Sequence, residues 1–222
     1  MTETASTEGS ADSATRGPAA TRLEQQCRLN DHFKTVYAII AGVAITDAIG
    51  ALTSSDGGAL IEQRVMRFCT LLITLLPIFH GSDRSLEIRH GYPAENTNEK
   101  TNYVLDVYLL IITATLFVCL ADTIKLSSMA FYFWLGGVMV FDALVLMFDL
   151  GKLHYFKIDR PPQPALWPAY IRWIGINIAL AIICFVWAFW FPMGAWMDYW
   201  IFMCALLRTI ADYWFGSELM FP

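Results

Sequence analysis

Two aspartates stand where a carboxylate is expensive. Asp47 lies inside the apolar stretch 40–52, IAGVAITDAIGAL, and Asp142 inside the stretch 135–150, LGGVMVFDALVLMFDL. A carboxylate near the centre of a membrane-spanning helix costs about 2.5–3.5 kcal/mol on insertion scales, so such a residue is read first as part of a functional site. The two stretches also overlay, matching Gly42 with Gly137, Val43 with Val138, Asp47 with Asp142 and Ala48 with Ala143. Two carboxylates facing one cavity cannot both be ionised cheaply unless a cation or a shared proton balances them. Proton or cation coupling needs that property, and Asp47 and Asp142 are therefore expected to form a cation- or proton-binding pair. The competing expectation is that each acid bonds to a Thr, Tyr or Arg on a neighbouring helix and pins packing.

The elements that must position these acids follow from composition. Of the 222 residues, 56% are hydrophobic, and they come in long blocks, which implies an all-α polytopic membrane protein rather than a soluble domain. Six spans are expected at about 35–53, 62–80, 102–122, 128–150, 169–191 and 194–215, each near the length that crosses a bilayer. Residues 1–34 read as a polar N-terminal tail, disordered up to about Arg22 and able to form a short interfacial helix from Thr21 to Lys34. Hairpin turns are expected near 54–58, 125–128 and 192–194. Residues 81–101 and the proline-rich 151–168 read as longer connectors.

Lysine and arginine set the orientation. Ten of them (Arg16, Arg22, Arg28, Lys34, Arg84, Arg89, Lys100, Lys152, Lys157 and Arg160) fall on the side of the N-terminus, against Arg64 and Lys125 on the other. Both termini are thus expected in the cytoplasm, with the chain in a plasma or inner membrane. Trp187, Trp190, Trp196 and Trp200 at one surface, and Trp167, Trp173 and Trp214 at the other, read as interfacial anchors. The lipid bilayer is the expected environment, an oligomer is compatible with the pattern, and the net charge of −5 without a basic patch excludes nucleic acid.

The overlay of the Asp47 and Asp142 stretches extends weakly to the other spans. Arg67 opens the second as Arg172 opens the fifth, while Asp106 and Asp122 of the third echo Asp198 and Asp212 of the sixth. Three spans per half implies a three-plus-three inverted repeat, an arrangement found in many secondary transporters. Inversion would place Asp47 and Asp142 roughly 5–9 Å apart in depth near the midplane.

Charged residues also form two layers. Arg67 shares the depth of Asp122 and Asp198, and Arg172 that of Asp106 and Asp149, so these six are candidate gate ion pairs; static pairing at helix ends is the alternative. Arg208 and Asp212, spaced i,i+4, are expected to pair on their own helix. On the second span Thr70 and Thr74 continue a polar stripe from Arg67 toward Pro77, which should kink the helix; with Asn177 of the fifth span they are candidate cavity-lining residues. The small-residue stripes Gly42–Thr46–Gly50 and Gly175–Ala179 suggest close helix contacts.

Enzymatic signals are thin. His80, Asp83, His90, Asp149 and His154 lack the helical spacing that presents two imidazoles on one turn. Asp56-Gly57-Gly58-Ala59 resembles the acidic glycine motif of membrane alcohol phosphotransferases over those residues alone. The arginine and two further aspartates of that motif do not follow, and a turn is the better reading. The five cysteines show no paired spacing, and no metal or cofactor is expected. A small proton- or cation-coupled transporter or channel is the leading expectation. A non-catalytic membrane component, such as an assembly factor, sensor or effector subunit, comes second, and a membrane-interface enzyme third.

Overall fold

The computed structural model describes residues 18–54, 61–90, 97–155, 166–190 and 195–220. They form six helices: α1 (Pro18–Thr53), α2 (Ile61–His90), α3 (Thr97–Asp122), α4 (Ser128–Tyr155), α5 (Leu166–Trp190) and α6 (Ala195–Met220), with a 3-10 turn at Thr123–Lys125 and no strand among the described residues. Five of them contain segments long and apolar enough to cross a bilayer: 31–53, 61–83, 103–125, 128–152 and 168–190. The protein is an all-α polytopic membrane protein.

The sixth helix is polar for a visible reason. α6 has 26 residues, about 39 Å at 1.5 Å per residue, but carries Asp198, Arg208 and Asp212, which are only 1%, 6% and 3% exposed. Its outward residues are Trp200, Met203, Leu207, Ile210 and Trp214. α6 runs parallel to α2 over matching depth: Asp198 meets Arg67, Thr209 meets Ile73, and Tyr213 meets His80. The bundle is therefore polar inside and apolar outside at several positions, as expected where the solvent is hydrocarbon.

We call the end at which α1 begins the near end and the opposite one the far end. α1, α3 and α5 run from near to far; α2, α4 and α6 run back. The hydrophobic core, which includes Leu71, Leu75, Phe117, Leu120, Phe131, Leu135, Met139, Leu180 and Ile201, lies among the helices. α4 and α5 form the most intimate pair, antiparallel, with Phe133 against Phe185 and Phe189. A Cβ at Gly136 would sit 3.0 Å from the Phe185 ring, so the absence of a side chain there admits the aromatic.

Several expectations shift. The polar segment before the first span is a continuous extension of it, since α1 begins at Pro18, a residue suited to a first helical position; residues 1–17 lie outside the described residues. The connector expected at 81–101 is mostly helix, because α2 continues to His90 and α3 starts at Thr97. The sequence after Gly81, SDRSLEIRH, contains neither proline nor glycine to interrupt the helix. Asp56–Ala59, the Pro192 turn and most of the proline-rich connector lie outside the described residues.

The packing does not have the symmetry of a three-plus-three repeat. α1 lies along α3, whereas their counterparts α4 and α6 scarcely approach and meet through side chains such as Tyr132 and Asp198. The small-residue stripes are not used inside the chain either: a Cβ at Gly42, Gly50 or Gly175 would meet nothing within 4 Å. α2 continues through Pro77. Proline lacks the N–H that would bond the carbonyl of Ile73, and the Thr209 hydroxyl of α6 donates to that carbonyl instead, at 2.7 Å.

Candidate functional site

A cavity of about 90 Å³ opens among α2 to α6 in the near half of the bundle, room for several water molecules. Its position follows from helix direction: the later residues of α2, α4 and α6 and the early residues of α3 and α5 converge there. Asp106, Asp142, Asp149 and Asp212 line it together with Arg208, Asn177, Thr113, Tyr170 and Trp173.

Four of these side chains form a connected chain across three helices. Asn177 of α5 donates its amide to Asp142 Oδ2 of α4 at 2.5 Å. The Asn177 carbonyl accepts from Arg208 Nε and Nη2 of α6, at 3.1 and 3.0 Å. Arg208 Nη1 in turn lies 3.0 Å from Asp212 Oδ2, one helical turn on. Asn177 is 1% exposed, and its amide serves as a two-sided connector because it offers a donor to the carboxylate and an acceptor to the guanidinium. Asp212 Oδ1 and Trp173 Nε1 are buried without a hydrogen-bond partner among the described residues. Each keeps the capacity to bond to whatever enters the cavity.

Closer to the near surface, Lys152 of α4 donates to Asp106 of α3 and lies 3.8 Å from Asp149. Its ammonium also sits 4.5 Å from the centre of the Phe148 ring, a favourable cation–π position. Four carboxylates thus gather around Arg208 and Lys152. Acids gathered this closely raise the cost of ionising all of them at once, and protons or a cation lower it.

The far half is built differently. Arg67, 1% exposed, pairs through Nε with Asp198 Oδ1 at 3.2 Å and through Nη2 with Oδ2 at 3.5 Å. Its Nη1 donates to the Ile124 carbonyl at 3.1 Å and its Nη2 to the Ser128 hydroxyl. Tyr132 donates its hydroxyl to Asp198 as well. Beside this cluster Arg64 donates to the carbonyls of Ala51 and Ser54, at 3.1 and 2.7 Å, placing a cation on the C-terminal end of α1, where the helix dipole favours it.

The structure thus brings some expected residues together and separates others. Asp142, Asp106, Asp149 and Asn177 share the cavity, and Arg67 meets Asp198. Arg172 is exposed on α5, and Lys152 of α4 pairs with Asp106 and Asp149. Asp122 is turned outward and pairs with Lys125 at 3.2 Å rather than with Arg67. Thr70 and Thr74 are buried but do not line the cavity; Thr70 donates to the Met66 carbonyl of its own helix. Trp173 is a cavity wall rather than an interfacial anchor, whereas Trp190, Trp196, Trp200 and Trp214 are exposed as anchors should be. Asp47 is exposed on α1, does not line the cavity, and so is not paired with Asp142.

Sequence reasoning missed Arg208, Lys152, Tyr132, Ser128 and Thr209. A signal existed for Arg208, a cation in the middle of an apolar helix, but its i,i+4 spacing to Asp212 gave it a local explanation. No group of His, Cys, Asp and Glu suited to a metal occurs among the described residues. His80 packs edge-on against Tyr213, and Asp83 pairs with Lys34 at 2.9 Å; the side chains of His90 and His154 lie outside the described residues. Comparison with protein-family models, with curated proteins and with solved structures finds no match to this chain.

Proposed function

We propose that the protein is a small membrane transporter or channel coupled to protons or to a small cation, with Asp142 as the coupling group. The observation that carries this reading is the chain Asp142–Asn177–Arg208–Asp212 bordering a cavity that Asp106 and Asp149 also line. The cavity is too small for an organic solute of drug-like size, which fits sites of about 300 Å³ or more; a proton, a water-borne monovalent cation or a water chain fits. The Arg67–Asp198 cluster closes the opposite half, and Lys152 stands between Asp106 and Asp149 at the near surface as a second barrier.

The distribution of Lys and Arg supports a plasma or inner membrane location with both termini in the cytoplasm, which puts the cavity on the cytoplasmic side. A reporter fused after Pro222 should then be cytoplasmic, and an external signal there would reverse the assignment. The functional test is flux of protons and of monovalent cations into liposomes holding the purified protein. Flux is expected from the wild type and is expected to be abolished by Asp142→Asn in a protein that still folds. Full flux in that variant would remove Asp142 from the mechanism.

A further inference from the structure

We infer that the outward face of α1 that carries Asp47 docks a second membrane helix that carries a lysine or an arginine. Asp47 lies six residues before the end of α1 at Thr53, about 9 Å inside that end at 1.5 Å per residue. The surrounding segment, 31–53, is apolar enough to span a bilayer. Carboxylates at such depth face a bundle interior or a water-filled cavity, and Asp47 does neither. It is exposed, and no hydrogen bond or ion pair reaches it from the described residues. Its neighbour Thr46 is committed to the Gly42 carbonyl at 2.9 Å. A short aspartate side chain cannot reach out of the hydrocarbon as Lys and Arg do.

The face also has the relief of a helix-packing surface. Gly50, three residues on and so beside Asp47 on the helix surface, has open space where a Cβ would stand, which lets another backbone come close. The occupant is specified by charge. Copies related by an axis along the membrane normal keep each residue at its own depth, so a second copy would need an exposed cation at the depth of Asp47. Among the described residues the exposed basic side chains are Arg28 and Arg172 near the near end and Lys125 past the end of α3, the last already paired with Asp122. None is at the right depth, and a second copy would set Asp47 against apolar surface or another Asp47. A helix from a different chain with one basic residue in its far half complements the face in both charge and shape, and this inference stands apart from the cavity reading.

The test uses the full-length protein in liposomes, labelled with an acceptor dye, and donor-labelled leucine–alanine membrane peptides that are identical except for one residue at the depth of Asp47: Lys, Leu or Glu. Energy transfer is titrated against peptide density. The Lys peptide is expected to associate at least tenfold more strongly than the Leu peptide, with the Glu peptide weakest. Asp47→Asn should erase the difference, and Gly50→Leu should weaken binding of the Lys peptide, while Asp142→Asn leaves it unchanged. Equal transfer for the Lys and Leu peptides on the wild-type protein overturns the proposal, and that comparison needs no variant to fold. Energy transfer between two differently labelled pools of the protein, lost on Asp47→Asn, would assign the face to a second copy and equally overturn it.

Discussion

Arg67 and Arg208 are both buried guanidiniums, and each meets an aspartate of α6, yet the two halves of the bundle use them differently. Arg67 is surrounded by fixed partners: Asp198, the Ile124 carbonyl and the Ser128 hydroxyl, with Tyr132 completing the carboxylate. Every strong bond it makes is internal, and the cluster does not border the cavity. Arg208 bonds to a neutral amide and to one carboxylate, and beside it stand a cavity and further acids. A closed ion pair holds its charge whatever happens around it, and it resists loss of either partner because the other is then stranded in low dielectric. The near site keeps a cavity beside its acids, with Asp212 Oδ1 buried and unbonded among the described residues. Burial of charge in a membrane helix thus does not by itself mark a candidate site; the space beside the charge separates the two clusters.

The contrast predicts its own failures. Asp198→Ala strands Arg67 and should destabilise the protein by about 3–5 kcal/mol, seen as a large loss of Tm in detergent. Adding Arg67→Leu should recover part of that loss. Normal stability with lost flux would make the far cluster a gate after all and collapse the distinction. Next, Asp142→Asn keeps an acceptor for Asn177, so its stability change should stay below about 1.5 kcal/mol, while liposome flux falls at least tenfold. A Tm drop comparable to that of Asp198→Ala would show that Asp142 is structural as well.

A third expectation sits between the two halves. Thr209→Val leaves the Ile73 carbonyl without the bond that compensates for Pro77 and should cost about 1 kcal/mol. In a Pro77→Ala background the helix supplies its own N–H, so the cost should shrink, a coupling read by a double-mutant cycle. Equal costs in both backgrounds would separate the threonine from the proline. The smallest effect is expected at the exposed Asp122–Lys125 pair, where Asp122→Asn should change stability by about 0–1 kcal/mol and less in high salt. A larger loss would mean that exposure is a poor guide to the worth of these charges.

Much of this was legible in the residues. The apolar blocks identified the membrane helices because crossing hydrocarbon requires a run of about twenty apolar residues, wherever the neighbours lie. Asp142, Asp106, Asp149 and Asn177 stood out because polar groups in such runs are expensive, and all four border the cavity. The same rule named Asp47 equally strongly, and there it could not tell an interior acid from an outward one. A helix presents a residue to one of several directions, and only the neighbours occupying each direction decide whether that residue meets a partner, a cavity or the outside. Asp47 and Asp142 match in local sequence, yet α4 turns its acid toward Asn177 while α1 turns its own away from the bundle.

Pairing between helices was the least readable part. Depth in the membrane allowed Arg67 to meet Asp122 or Asp198, and allowed Arg172 to meet Asp106 or Asp149. Depth is one coordinate, and contact needs all three. The sequence by itself determined which segments enter the membrane and at what level each charge lies, since both depend on transfer energies that act residue by residue. Only the tertiary structure decided that α6 lies along α2 and α5 against α4, and so which charges at one level face each other, because helix order and rotation are set by packing among all six helices at once.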